Sequence, residues 1–341
     1  MPAVGKANFG ERALVTGGGG FLGKAITKQL LQLGIKVRIF CRGSYPELDR
    51  MGVETRNGDI SDAGAVRDAC KGCDIVFHVA ALPGVWGAYE VYYNTNYKGT
   101  ENVIAACRFH KIPRLVFTSS PSVVFDGKDM EGADESVPYP DHYEAHYPAT
   151  KAMAEKAVLA ANDDKLSTVS LRPHLIWGPG DNHLVPRIIK RGKAGQLKFV
   201  GNGQNKIDTV YIDNAADAHI LAAQCLSPGS APAGKAYFIT QNDPRTMADF
   251  INSILKSARV APVTSSVPPA LAYYVGWGLE IWGNLSGSRD EPRMTRFLAK
   301  ELATAHWFNI SASKKDFGYE PKVKFEEGME RLAKWLEINP V

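Results

Sequence analysis

ALVTGGGGFLGKAITKQLLQLG, residues 13–34, reads as a short apolar strand, a glycine-rich turn and an amphipathic helix that stops at Gly34. Gly17, Gly20 and Gly23 are spaced three apart in the turn. In such a strand–turn–helix unit the first glycine permits the tight turn, the second lets a pyrophosphate approach the backbone, and the third lets helix and sheet pack closely. The helix start adds unpaired N–H groups and the positive end of a dipole. The motif therefore predicts a dinucleotide site at the opening of the chain.

Outward from this unit, short β-rich runs alternate with longer helical stretches. VRIFC and a weaker VETRNGD read as strands, followed by the helix AGAVRDACKG, the strand DIVFHVAA and a long helix from Asn94 to His110. RLVFTSS is the next strand, HYPATKAMAEKAVLAAND a periodic helix, and LSTVSLRP a further strand. This alternation is the signature of an α/β fold: a Rossmann-type doubly wound parallel sheet. After Pro173 the connections become rich in Gly and Pro (WGPGDNH, GNGQNK, SPGSAPAG). That texture predicts a smaller, interleaved C-terminal substrate lobe over most of 174–341, with residues 1–173 forming the cofactor domain. KAYFIT, within 206–240, is expected to return to the first sheet.

The end of the second strand decides the cofactor. An acidic residue there would grip a ribose 2′-hydroxyl and repel a 2′-phosphate. The chain has Phe40-Cys41-Arg42-Gly43-Ser44 instead. Arg42 offers a charged fork to a phosphate, which predicts NADP(H) in preference to NAD(H). Asp59 stands at the expected end of the third strand. It suits either an adenine amino group or the cap of the following helix.

YPATK places Tyr147 and Lys151 four apart at the start of a helix, on one face and one turn apart. A phenol next to an ammonium is expected to have a lowered pKa and to move a proton to or from a substrate oxygen while hydride is transferred. FTSSPSV puts Ser119, Ser120 and Ser122 at the C-terminal edge of a parallel strand, where open α/β sheets bind ligands. Ser120 is the first candidate to polarise the substrate oxygen, with Ser119 and Ser122 in reserve.

In order along the chain, TGxxGxxG, HVAA from His78, NYKGTENV from Asn96, TSS, YxxxK and LRPHLIWGPGD resemble the extended short-chain dehydrogenase/reductase superfamily over nearly the whole length. SSPSVVFDG, HLVPRI, DTVYIDNAADAH and FGYEP narrow the resemblance to its 3β-hydroxysteroid dehydrogenase branch. The groups most similar act on 2-alkyl-3-oxoalkanoates and on sterol-4α-carboxylates. The resemblance implies Tyr147 as acid/base, Lys151 as its partner and a ligand of the nicotinamide ribose, and Ser120 on the substrate oxygen. It also implies cofactor contacts at Phe21, Leu22, Ile60, Ala80, Ala81, Pro173 and Ile176. Arg42 argues for the reductive, NADPH-using side of the branch. The expected reaction is reduction of a 3-oxo group on a bulky apolar β-keto acid, with Arg187, on HLVPRIIKRG, as the candidate cation for its carboxylate. A 3β-hydroxysteroid or sterol dehydrogenase is the alternative; a nucleotide-sugar epimerase and a non-catalytic NADPH sensor rank lower. Extended members pair through two long helices, here 94–110 and 147–163, which implies a homodimer.

Composition excludes other classes. A net charge of +4, spread along 341 residues, gives no basic patch for nucleic acid. MPAVGKANFGER lacks the apolar core of a secretory signal, and five cysteines form no disulfide framework, so a cytoplasmic location is expected. Cys70 and Cys73 form a CxxC with no second ligand pair, which predicts no metal site. The stretch 267–285, VPPALAYYVGWGLEIWGNL, is helical and apolar on nearly every side. It fits a packed helix, the wall of a long-chain substrate channel, or peripheral contact with a membrane.

Overall fold

The computed structural model describes residues 10–288 and 290–341; the leading segment read above for a secretory signal lies, as far as Phe9, outside the described residues. Seven parallel strands form the main sheet: β1 (Arg12–Thr16), β2 (Lys36–Cys41), β3 (Glu54–Asn57), β4 (Ile75–His78), β5 (Arg114–Thr118), β6 (Ser167–Pro173) and β7 (Lys235–Ile239). Their order across the sheet is β7-β6-β5-β4-β1-β2-β3, so the chain reverses direction between β1 and β4. That reversal opens a crevice beyond the carboxyl ends of the strands, the place where doubly wound sheets bind ligands. KAYFIT joins the sheet as β7, paired in parallel with β6.

Period-2 alternation divides the strand residues between two cores. Ala13 and Val15 pack on one face with helix α1 (Phe21–Gln32) and, later in the chain, Ile212–Cys225. Leu14, Val76 and Phe117 face the opposite core, with helices α2 (Ala63–Cys70), α3 (Gly99–His110) and α4 (His146–Ala160). Asp62, not Asp59, caps α2 by accepting from the N–H groups of Gly64 and Ala65 at 2.8 and 3.1 Å.

Asn94–His110 is not one uniform α-helix. A short helical turn, Tyr89–Tyr92, leads into a π-helical turn, Tyr93–Lys98, before α3 begins. Within the widened turn Asn96 is buried, and it clamps Leu82 from both sides. Its Oδ1 accepts from the Leu82 N–H at 2.7 Å and its Nδ2 donates to the Leu82 carbonyl at 3.2 Å. The same Nδ2 reaches Thr150 of α4 at 3.2 Å. Helix α4 stops before Asp163, whose carboxylate accepts from the N–H groups of Lys165 and Leu166, both at 2.9 Å, and turns the chain into β6.

A smaller mixed sheet, ordered Arg245–Thr246, Lys206–Ile207, His306–Phe308, Met130–Ala133, faces the crevice. Two further helices complete this side, α5 (Pro269–Ser286) and α6 (Arg296–Ala303). Helix α5 turns its small residues inward. A Cβ on Gly276 would lie 2.6 Å from the Thr295 backbone, and one on Gly283 2.7 Å from the Trp86 ring. Its large apolar residues, Leu271, Tyr274, Val275, Trp277, Ile281, Trp282 and Leu285, are exposed. Among the described residues no helix is long and apolar enough to cross a membrane.

Candidate active site

The crevice holds two connected spaces. The larger, about 600 Å³, runs from the glycine turn across the strand ends to the start of α4. Its walls bring together Gly17, Gly20, Phe21, Leu22, Gly23, Arg42, Asp59, Ile60, Ala80, Ala81, Tyr147, Lys151, Pro173 and Ile176. Residues the motifs did not single out also line it, among them Tyr45, Thr95, Asp181 and Leu175.

This space suits a dinucleotide on its own geometry. Gly17 has φ +67°, and a Cβ there would lie 2.9 Å from the Ala80 backbone. A Cβ on Gly23 would lie 2.2 Å from the Gly17 carbonyl oxygen, so only glycine lets α1 sit this close to the sheet. Helix α1 has no side-chain cap and no acidic residue in its first turn. Its free N–H groups and positive dipole end therefore face the cleft, as a pyrophosphate requires. Below the turn, Thr16 Oγ1 accepts from the N–H groups of Val79 and Ala80 at 3.1 and 3.2 Å, and meets His78 Nδ1 at 2.7 Å. Burial pulls His78 down to about 3, so it ties the strand ends together as a neutral ring.

At the far end Arg42 is exposed at the tip of β2, and no hydrogen bond or ion pair reaches its side chain among the described residues. Asp59 accepts from the Ser61 N–H at 2.9 Å and from its hydroxyl at 2.7 Å. These bonds, with a smaller contribution from the charge of Arg42, hold its carboxyl below the usual range. Asp59 thus lines the cleft as a fixed carboxylate.

The smaller space, about 220 Å³, adjoins the first and is closed by the small lobe. Ser120, Ser122 and Tyr147 form its floor; Phe125, Met130, Leu175, Phe297 and Phe308 give it apolar walls; His174, His306 and Glu301 add polar groups. Leu175, at φ +44°, sits in the left-handed region that bulky residues avoid, and it borders both spaces. Ser119 opens on the cofactor side only, whereas Ser120 borders both spaces. The Ser122 hydroxyl donates to Ser120 Oγ at 2.9 Å and the Ser122 N–H to the same atom at 3.2 Å. With those two bonds accepted, the Ser120 proton is left to point elsewhere, and Tyr147 lies within its hydrogen-bonding reach.

Tyr147 and Lys151 differ electrostatically from the sequence-based expectation. Burial pushes the Tyr147 phenol up to about 12, and the bond with Ser120 only partly opposes this. Lys151 is 2% exposed; its ammonium donates to the Thr118 carbonyl at 2.6 Å and lies 4.0 Å from the centre of the Phe117 ring. Burial pulls it down to about 7, against the opposing charge of Glu155. Desolvation therefore outweighs the mutual stabilisation expected of the pair, and the phenol stands in its protonated, donating form.

Arg187 does not supply a cation to the substrate space. It is half-exposed, lies outside both linings, and pairs with Glu291 at 3.0 Å. The helix Leu184–Lys193 carries four cations, and its buried residues are Val185, Ile188 and Ile189, which leaves Arg187 on the outer side.

Beneath the floor lies a network that the motifs did not reveal. Glu155 of α4 is fully buried and accepts from Arg172 of β6 at 2.6 Å, from Ser170 at 2.8 Å and from the Tyr139 hydroxyl at 2.7 Å. Burial pushes its carboxyl up, but Arg172 and the hydroxyls that bond to it together outweigh this and hold it below the usual value. The network anchors α4 to β6 directly under Lys151.

The 3-beta hydroxysteroid dehydrogenase/isomerase family model matches residues 14–267. The 2-alkyl-3-oxoalkanoate reductase of Shewanella oneidensis is 52% identical over 330 residues, covering 94% of this chain and 85% of that protein. The decarboxylating sterol-4-alpha-carboxylate 3-dehydrogenase of Mus musculus is 35% identical, covering 95% and 90%. In fold, the UDP-glucose 4-epimerase of Thermus thermophilus, solved with NAD, superposes with a TM-score of 0.73 at 24% identity, over 96% of this chain and 99% of that one.

Proposed function

The chain belongs to the 3-beta hydroxysteroid dehydrogenase/isomerase family, and we propose that it uses NADPH to reduce the 3-oxo group of a 2-alkyl-3-oxoalkanoate. It is an NAD(P)-dependent oxidoreductase. The finer reading is supported most by one juxtaposition: a protonated phenol and an oriented serine meet at the border between a dinucleotide cleft and an apolar cavity. The bound nicotinamide supplies hydride. Tyr147 holds the proton destined for the substrate oxygen, and Ser120 donates a hydrogen bond to that oxygen as charge develops on it. Lys151, one turn along α4 and fixed by Thr118, is the cation proposed to balance the phenolate left after proton transfer. The exposed Arg42 supports NADPH, since among the described residues no hydrogen bond or ion pair engages its side chain and only the charge of Asp59 acts on it.

The test is NADPH oxidation with a 2-alkyl-3-oxoalkanoate, run beside a 3-oxosteroid, with NADH as control and correction for spontaneous decarboxylation. Fast, NADPH-selective turnover of the oxoacid is expected. Turnover of the steroid alone transfers the chain to the steroid-acting part of the family.

Two partner assignments belong to this reading. A homodimer through the 94–110 and 147–163 segments is supported by an aromatic ladder that leads into the first of them, Tyr89, Tyr93 and Tyr97, with ring centres 5.7 and 5.2 Å apart. Peripheral contact of α5 with a lipid surface is supported by the outward Tyr274, Trp277 and Trp282, side chains suited to a membrane–water boundary.

A further inference from the structure

The substrate cavity contains a carboxyl group with no counterpart. Glu301 points from α6 into the space floored by Ser120 and Tyr147. Among the described residues no hydrogen bond or ion pair reaches it. Its neighbours' charges are engaged elsewhere: Lys300 with Glu144 at 2.5 Å, Arg296 with Glu280 at 2.7 Å, Arg187 with Glu291 at 3.0 Å. Among the described residues, the other titratable side chains that line the cavity are neutral. Burial keeps His174 and His306 far down, at about 4 and about 3, and raises the phenols of Tyr147 and Tyr92. Lys151 lies on the cofactor side, held by Thr118.

A β-keto acid presents its carboxyl carbon about 2.5 Å from the carbonyl carbon, a 1,3 separation fixed by bond geometry. With the 3-oxo group on Tyr147 and Ser120, the carboxylate must therefore lie in this same small cavity. Among the described residues no guanidinium or ammonium lines the cavity to receive it.

We propose that Glu301 receives the substrate's carboxyl group, as a neutral acid donating its proton into a hydrogen bond with the incoming carboxylate. The assignment rests on the 3-oxoacid reading above and adds a specificity-determining residue to it. Burial, with no compensating charge from any neighbouring element, lifts Glu301 to about 7. The acid form is then available at neutral pH, and a second carboxylate beside it raises its proton affinity further. Above its midpoint Glu301 must take one proton from solvent when the acid binds. The ionised form repels the substrate, and in wild type the same charge also raises the Tyr147 phenol.

The experiment uses the product, a 2-alkyl-3-hydroxyalkanoate, and its methyl ester, bound to the enzyme–NADPH complex, a pair that cannot react, between pH 5.5 and 8.5. Calorimetry in buffers of different ionisation enthalpy counts the protons. For wild type, the acid's affinity should fall about tenfold per pH unit above the Glu301 midpoint, with one proton taken up per site, whereas the ester's should stay flat. Glu301→Gln, which keeps a donor but cannot ionise, should bind the acid with a pH-independent Kd, close to the wild-type value at pH 6. NADP+ binding by the variant verifies that it is folded, and the wild-type acid–ester comparison decides the matter without a variant. An equal slope for acid and ester, or tighter acid binding by Glu301→Gln at every pH, overturns the assignment. Turnover of the oxoacid together with product-acid binding that takes up no proton removes Glu301's role alone; no binding or turnover of the acid at any pH removes the substrate reading with it.

Discussion

On the proposed preference for NADPH, removing the charge of Arg42 should leave an enzyme that barely distinguishes the two cofactors. The guanidinium is exposed at the tip of β2, so its interaction with a 2′-phosphate operates close to the dielectric of water. A unit charge pair at ~4 Å in water is worth about 1 kcal/mol, and a phosphate monoester carries about −1.5 to −2. Charge-assisted hydrogen bonding places the whole contact at about 1.5–2 kcal/mol, the low end of its range, because Asp59 across the cleft opposes any anion. Arg42→Ala should therefore raise the Kd of NADPH roughly 10–30-fold and leave that of NADH within about twofold, as read by quenching or transfer fluorescence of the reduced cofactor. About 0.5 M salt should shrink the wild-type preference, since the pair is open to screening. Equal losses for both cofactors, or none for either, would refute the reasoning and turn Arg42 into a solvated surface residue.

Tyr147→Phe should lower kcat by about 10²–10⁴-fold while NADPH binding stays unchanged in the same fluorescence assay. Glu155→Gln strands Arg172 in the core, and a loss of about 3–5 kcal/mol should appear as a drop in Tm of roughly 4–7 °C. Because the folded-state carboxyl titrates below its usual value, the stability Glu155 contributes is present above the unfolded-state pKa and is lost as pH falls through the lowered one; acid melts of the variant should show a shallower decline. Trp277→Ser with Trp282→Ser should abolish co-sedimentation with phospholipid vesicles and leave turnover of a short-chain substrate intact; equal sedimentation would dismiss the lipid contact. Tyr97→Arg, within the aromatic ladder, should shift sedimentation velocity from dimer to monomer.

Local pattern reaches a long way into this fold. Six of the seven strands of the main sheet lie within a residue or two of their reading, and β4 ends three residues before its own, because buried parallel strands are near-continuous apolar runs and the intervening helices are amphipathic. The glycine turn and the Tyr147/Lys151 spacing were legible for a related reason: their geometry is dictated by residues adjacent in the chain. The π-turn at Tyr93–Lys98 was not, since an extra residue per turn leaves helical periodicity almost intact over six residues. Its cause is the capture of Asn96 by Leu82, which depends on a loop fourteen positions away. Arg187 was misplaced because periodicity gives a helix a wet and a dry side but not what borders each. Glu301 carries no motif and comes from the far end of the chain; only the fold places it opposite Tyr147. The face of α5 inverts intuition, since glycine and alanine mark its inner side and the aromatics its outer one.

The misplaced cation and the unlooked-for acid follow from one physical constraint. A guanidinium inside a 220 Å³ cavity would bind a carboxylate by two charge-assisted bonds, stronger than the neutral bonds Tyr147 and Ser120 can offer a ketone. Substrate would then be held by its permanent charge, equally in ground and transition states, and that uniform binding does nothing for the chemical step. With Arg187 outside and neutral donors inside, the proposed reaction has its strongest change in interaction where charge is created, at the oxygen facing Tyr147 and Ser120. The raised phenol serves the same end, because a donor that stays protonated delivers its proton only to an oxygen that has become strongly basic. In the proposed reaction that condition is met when hydride arrives, so the burial of Tyr147 would itself tie proton transfer to reduction.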